Sequence, residues 1–256
     1  MGPTRTALVT GASRGIGRAT AIALSERGEK VAVHYGADRS AGAQTLSLLH
    51  GDGHVLVGGD LSDPDIAQDV VTEAESALGG IDILVNNAGI APGESTDHPV
   101  DSTGYATWQQ RFTHLIDVDL TAPANLSYLV ARSLIARGAS GVIVNVGSRG
   151  AFRGEPSAPA YAAAKAGLHA LGQSLALSLA PHGIVVASVA PGFVDTERQQ
   201  PKLASADGDS LRAQSPFRRV GTAEEVAAAI LYLTSPEAQW ASGAILDLNG
   251  ASHLRT

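Results

Sequence analysis

Tyr161-Ala162-Ala163-Ala164-Lys165 sets a phenol and an ammonium at i and i+4, on one face of a helix. A phenol titrates near pH ~10, so at neutral pH it exchanges protons poorly. A cation held beside it stabilises the phenolate and makes the pair usable for acid–base work. Taken alone, such a pair is more often an exposed contact on an Ala-rich helix. Ser148 shifts that balance. It follows the strand expected from Val142 to Val146, at a strand end where open α/β sheets gather ligands. Its hydroxyl can hydrogen-bond a substrate carbonyl oxygen there.

A second chemistry-bearing stretch is Thr10-Gly11-Ala12-Ser13-Arg14-Gly15-Ile16-Gly17, between a strand-like run and a helical one. Glycines let the backbone approach a pyrophosphate closely, and a helix N-terminus offers free N–H groups and a positive dipole end. The spacing is G-x-x-x-G-x-G rather than the commoner G-x-G-x-x-G. The competing reading is a turn with structural duties only, and the position after a first strand favours the phosphate.

These groups need a scaffold, and the composition supplies one. The chain has 256 residues, 44% of them hydrophobic and 17% charged, enough for one large α/β domain. Aromatics are only 4%, so the core must be built from Ala, Val, Leu and Ile. The formal net charge of −7 gives no field for a polyphosphate, which argues against nucleic acid. Absence of cysteine removes disulfides and thiolate chemistry. No apolar run is long enough to span a membrane, and Met1 to Thr6 lacks a leader's apolar core, so a cytoplasmic protein is expected. The eight histidines have no metal-ligand spacing, so no metal site is expected. The Asn125-Leu126-Ser127 sequon reads as incidental, and Arg218-Arg219 is too short for a nucleic-acid patch.

Short β-branched runs alternate with longer Ala-rich ones. Strands are expected at Thr6 to Thr10, Lys30 to Tyr35, His54 to Gly58, Ile81 to Val85, Val142 to Val146, Ile184 to Val189 and Ala244 to Leu248. Helices are expected from Ile16 to Arg27, from Arg39 to Leu49, and after the Ser62-Asp63-Pro64 cap. Strand–helix alternation with short links implies parallel strands and right-handed crossovers. The predicted fold is α/β: a single doubly wound Rossmann-type domain over 1–256, with a parallel sheet of about seven strands. Its nucleotide-binding half covers about 1–90 and its catalytic and substrate half about 91–256. Ala91 to Ala106 and Thr196 to Pro216 are long, polar and Gly/Pro-rich, which marks them as substrate loops.

Together these motifs resemble those of the short-chain dehydrogenase/reductase family, along essentially the whole chain. Gly11, Ser13, Arg14, Gly15, Ile16 and Gly17 fall in a TGxxxGxG nucleotide turn. Asp60 and Leu61 resemble the pair that contacts adenine, and Asn87, Ala88 and Gly89 belong to an NNAG motif. Ser148, thirteen residues before Tyr161, matches the catalytic Ser that accompanies YxxxK. Pro191, Gly192, Val194 and Thr196 resemble the segment that closes over a nicotinamide. The resemblance implies that Tyr161 exchanges the proton, that Lys165 holds the nicotinamide ribose and lowers the Tyr161 pKa, and that Ser148 steadies the reacting oxygen. One position departs: Asp119 stands where relatives carry an Asn that holds a water linking the Lys to solvent. Its charge is expected to strengthen Lys165 as a cation and to alter the pH dependence; the competing reading is an impaired relay with slow turnover.

The resemblance also frames the cofactor and substrate. No carboxylate follows the second strand until Asp38, while Arg14, with Arg39 near Tyr35, suits a 2′-phosphate, so NADP(H) is the expected cofactor. The general likeness is to 3-oxoacyl-carrier-protein reductases. Arg132 matches one carrier-docking base, but Leu177 replaces the second, and the negative net charge disfavours an acidic carrier. A free ketone, a sugar and a thioester-linked keto acid stay open as the small-molecule carbonyl or alcohol substrate. A homotetramer is expected, burying helices from roughly Trp108 to Arg137 and Tyr161 to Ala180 together with the last strand. The rival to an enzyme is an NADP-binding sensor or scaffold with little turnover.

Overall fold

The computed structural model describes residues 4–255, so the reading of Met1 to Thr6 falls partly outside it. The elements run β1 (Thr6–Val9), α1 (Gly15–Arg27), β2 (Lys30–Tyr35), α2 (Arg39–Leu46), β3 (Val55–Gly58), α3 (Pro64–Leu78), β4 (Ile83–Asn86) and α4 (Tyr105–Ile116). A π-helical turn (Asp117–Thr121) leads into α5 (Ala122–Arg137), β5 (Gly141–Val146), α6 (Gly150–Arg153), α7 (Pro159–Leu179) and β6 (Ile184–Pro191). The chain ends with β7 (Val194–Asp195), α8 (Gln200–Leu203), α9 (Gly208–Ala213), β8 (Gly221–Thr222), α10 (Ala223–Leu233) and β9 (Ile245–Leu248).

The seven-stranded sheet has the order β3-β2-β1-β4-β5-β6-β9, and every pairing is parallel. It is the doubly wound α/β arrangement expected from the alternation of runs. Strand side chains alternate between two cores. Val9, Val33, Val85 and Val144 face Leu24 of α1 and Ile230 of α10. Leu8, Ala32, Leu84 and Ile143 face Val70 of α3 and Leu126 and Val130 of α5. Both faces are covered, which is why the middles of these strands read as apolar with no in–out alternation. Truncating a fully buried Leu84 to Ala would cost about 2–5 kcal/mol.

The element bounds differ in instructive ways. Asp63 caps α3 by accepting from Asp65 N–H, with Pro64 in the first turn, as the sequence suggests. α2 stops at Leu46 rather than Leu49, because Leu48 and Leu49 donate to carbonyls three residues back. β4 begins at Ile83 rather than Ile81, whose carbonyl accepts from Arg137 Nη2. The helix expected from Trp108 starts at Tyr105 and is interrupted by the π turn, a feature that clusters at functional sites. The segment from Thr196 to Pro216 is not a plain loop, since it carries α8 and α9.

Strand order reverses between β1 and β4, and the crevice at their C-terminal ends is the topological switch point of such sheets. The glycine turn leaves β1 there, and Asn87 to Gly89 leave β4.

Candidate active site

The glycine turn is built to lie close against the end of β4. Gly11 and Gly15 have φ of +61° and +54°, the left-handed region that glycine tolerates. A Cβ on Gly17 would stand 2.4 Å from both Gly11 O and Asn87 Nδ2. Thr10 Oγ1 accepts from the N–H groups of Asn87 and Ala88, while Asn87 Nδ2 donates to Thr10 O and Gly11 O. His34 completes the clamp. Its Nδ1 accepts from Gly11 N–H at 3.1 Å and its Nε2 faces Gly59 O at 3.0 Å, with burial holding its pKa down at about 4. The ring is therefore neutral and donates from Nε2.

Arg14 gives α1 no side-chain cap. Gly15 N–H donates instead to Glu197 Oε2 at 3.1 Å, and Arg18 pairs with Glu197 Oε1 at 3.1 Å. The cradle thus already holds a carboxylate, so its donors fit an anionic oxygen of a pyrophosphate. Ser13 is buried, and its carbonyl accepts from Arg18 Nη2. Thr196 packs on Gly15, where a Cβ would meet its methyl group at 3.1 Å.

At the end of β2, Arg14 pairs with Asp38 at 3.2 Å, both side chains exposed. Arg39 donates to the Tyr35 hydroxyl at 3.1 Å and lies 6.0 Å from the ring centroid. After β3, the exposed Asp60 accepts from Ser62 N–H and hydroxyl, which hold its carboxyl below its usual range. Leu61 is buried in the core.

On the other side of the crevice, α7 brings Lys165 Nζ to 5.8 Å from the Tyr161 ring centroid. Lys165 also donates to Val146 O at 3.2 Å and lies 3.0 Å from Asp119 Oδ1. Asp119 is completely buried on the π turn. Its Oδ1 also accepts from Ile90 N–H, and its Oδ2 has no partner. Only glycine fits at Gly89, where a Cβ would stand 2.5 Å from Asp119 Oδ1. Burial works most strongly against the Lys165 charge, but the Asp119 carboxylate and Tyr161 together outweigh it and hold the ammonium above its usual range. Tyr161 stays partly open to the crevice, yet the surrounding protein pushes its phenol up. Lys165 and the Ser148 hydroxyl pull it down, while Asp119 and Glu155 add to the rise. Lys165 therefore acts in the expected direction, but the net shift is upward, because burial and two carboxylates oppose it. Ser148 Oγ accepts from Gly150 N–H at 3.0 Å.

Gly192 lies against Asn249, with N–H donating to Leu248 O, and Pro191 O accepts from Arg149 N–H. Val194 is buried on β7. These bonds turn the chain from β6 toward the glycine turn. Cavities among the described residues bear on the site. One of about 350 Å³ opens beside Gly89, between Ile90–Thr96 and Arg198, Pro201 and Lys202. Another, about 370 Å³, is lined by Arg149, Phe193, Phe217 and Asn249. Neither is lined by Ser148, Tyr161 or Lys165, and the first is the better continuation of the site because Arg198 Nη1 donates to Gly89 O at 2.9 Å.

Sequence reasoning missed Glu197, Arg198 and Glu155. Glu197 directly follows Thr196, and its place beside the glycine turn had no signal in spacing. His98 was set aside with the other histidines, yet its Nε2 accepts from Ala160 N–H, one residue before Tyr161, and fastens the 91–104 loop to α7. Among the described residues no group of three or more His, Asp or Glu side chains could hold a metal ion, and no helix is long and apolar enough to cross a membrane.

Residues 11–253 match a family model described as Enoyl-(Acyl carrier protein) reductase. The chain is 36% identical to L-rhamnose 1-dehydrogenase (NAD(P)(+)) of Sphingomonas sp. (strain SKA58), over 98% of this chain and 96% of that protein. It is also 36% identical to the 3-oxoacyl-[acyl-carrier-protein] reductase FabG of Vibrio cholerae serotype O1, over 98% of each. Identity is 38% to cis-4-hydroxycyclohexanecarboxylate dehydrogenase of Sinomonas cyclohexanicum, over 96% of this chain and 95% of that one.

Proposed function

The chain belongs to the short-chain dehydrogenase/reductase family, oxidoreductases that act on CH–OH and carbonyl groups with a nicotinamide cofactor, and from that premise we propose an NADP(H)-dependent reductase of ketones working through Ser148, Tyr161 and Lys165. The observation that carries the reading is the Lys165 ammonium at 5.8 Å from the Tyr161 ring centroid, at the strand-end crevice that also holds Ser148.

NADP(H), when bound, supplies or accepts the hydride. Gly11, Ser13, Gly15, Ile16 and Gly17 hold its pyrophosphate, with Asp60, Leu61 and Asn87 to Gly89 along the adenosine and ribose. Pro191, Gly192, Val194 and Thr196 shape the nicotinamide end. Tyr161 gives its phenolic proton to the carbonyl oxygen, or takes one from the alcohol in reverse. Lys165 favours the phenolate by its charge, and Ser148 fixes the substrate oxygen.

Arg14 supports NADP(H). Its bond to Asp38 is an exposed pair, worth about 0–1 kcal/mol, so a 2′-phosphate carrying more charge displaces it. Arg39 and Tyr35 add a second polar edge. Residues up to about 90 form the nucleotide-binding half of one domain, and the remainder holds substrate. Exposed apolar side chains on α5, α7 and β9, namely Tyr128, Leu177 and Leu246, with Trp240 nearby in sequence, support a homotetramer. Arg132 is exposed, but the equally exposed Leu177 offers an acyl carrier no charge, which favours a free small molecule.

The test is oxidation of NADPH and NADH against an acetoacetyl thioester, a diketone, a cyclic ketone and a keto sugar. NADPH-dependent turnover of a free carbonyl compound is expected. Binding of NADPH with no turnover of any of them contradicts the reading and favours a cofactor sensor.

A further inference from the structure

Glu155 lies on the loop between α6 and α7, beside the candidate catalytic groups. A Cβ on Gly150 would stand 2.8 Å from Glu155 Oε1 and 3.3 Å from Ser148 Oγ, so the carboxylate and the serine hydroxyl border one small volume. Glu155 also raises the Tyr161 phenol, which places its charge within reach of the same oxygen. Its side chain is half-buried and makes no ion pair or hydrogen bond among the described residues. Arg149, whose charge Glu155 favours, and Arg153, two residues before it, do not engage it. Arg149 is directed to Ser252 and Gln214, and Arg153 to Gln214.

A carboxylate at the edge of a reaction crevice must keep donors when substrate expels its water. A plain ketone or an acyl chain brings none. A second carboxylate would be repelled. An ammonium would bring donors, but Arg149 and Arg153 oppose a full positive charge there, and a neutral hydroxyl meets no such penalty. Resting on the proposed reductase reading, we propose that Glu155 is a specificity-determining residue, accepting hydrogen bonds from a hydroxyl adjacent to the reacting carbon, so that the site prefers hydroxylated carbonyl compounds of the sugar type.

The charges facing the Tyr161 phenol are Lys165 from α7, Asp119 from the π turn and Glu155 from its own loop. Removing only the last has two separable consequences. Glu155→Gln takes away the charge, whereas Glu155→Asp keeps the charge and withdraws it by one methylene.

The experiment compares 2-hydroxycyclohexanone with cyclohexanone in full-length wild type and both variants, with NADPH and with NADH. Wild type is expected to favour the hydroxyketone in kcat/KM by about tenfold, the scale of one hydrogen bond to a charged group. Both variants are expected to lose most of that preference, chiefly through a raised KM for the hydroxyketone. The Tyr161-controlled limb of the pH profile is expected to move to lower pH in Glu155→Gln and to stay in place in Glu155→Asp. Turnover of both ketones with no preference, or equal losses on both in the variants, overturns the role of Glu155 alone. No turnover of either by wild type overturns the reductase reading and this inference with it.

Discussion

Lys165 Nζ lies 3.0 Å from Asp119 Oδ1, and the carboxylate is wholly buried. A buried ion pair is costly to break from one side, by about 3–5 kcal/mol, because the remaining charge loses its partner. The same pair sets the electrostatics of the crevice, since Asp119 raises both Lys165 and Tyr161. Asp119→Asn removes that contribution, so both groups should titrate at lower pH. In the oxidative direction, which needs the phenolate, the rising limb of the pH profile should move toward acid. In the reductive direction the alkaline fall-off should move the same way. Steady-state rates across pH in both directions check this, and unchanged limbs contradict it.

Arg14 is predicted to separate the two nicotinamides. Arg14→Ala removes a charge-assisted contact worth about 1.5–3 kcal/mol, so NADPH affinity should fall about 10- to 100-fold. NADH affinity should change little. Asp38→Asn, which frees Arg14, should strengthen NADPH. Fluorescence titration with both cofactors reads this directly, and equal losses for the two would place Arg14 outside the 2′-phosphate site.

Glu197 occupies the donors assigned to the pyrophosphate. Its exposed contacts to a helix N-terminus and to Arg18 together contribute about 1 kcal/mol. Glu197→Gln should therefore lower the NADPH dissociation constant about fivefold. A weaker constant in the variant would mean that Glu197 holds the bound state instead.

Two neutral histidines predict acid sensitivity. His34 and His169 are each held at about 4 in the folded protein, chiefly by burial, against 6.5 when unfolded. Between those values the unfolded chain binds the protons and the native one does not. Stability is thus fully present above about pH 6.5 and is lost as pH falls toward 4, by about 3 kcal/mol for each ring. Urea unfolding at stepped pH checks the slope, and His34→Asn should remove about half of the acid loss. A flat profile contradicts the buried neutral rings.

The strands were legible because both faces of the sheet are covered, so their central residues, such as Ala7-Leu8-Val9, Val31-Ala32-Val33 and Val142-Ile143-Val144, read as apolar runs. The turn at Gly11 to Gly17 and the Tyr161 and Lys165 pair were legible from local spacing, and Ser148 from its place at the end of a strand-like run. Relationships across the fold were not. Nothing in local sequence shows that a π turn carries Asp119 onto Lys165, or that Glu197 reaches a turn 182 positions away. Gly147 shows the same limit. Its Cβ would stand 2.2 Å from the His169 ring, a steric constraint visible only once β5 and α7 are packed together.

In the proposed reaction Tyr161 delivers the proton while Lys165 and the glycine turn hold the cofactor. The most direct measurement pairs NADPH turnover with NADPH binding in wild type and Tyr161→Phe, using a ketone that wild type reduces. Tyr161→Phe is expected to bind NADPH with nearly unchanged affinity and to lose turnover by at least about 100-fold, the lower scale of positioned proton transfer. Turnover retained in Tyr161→Phe would contradict it.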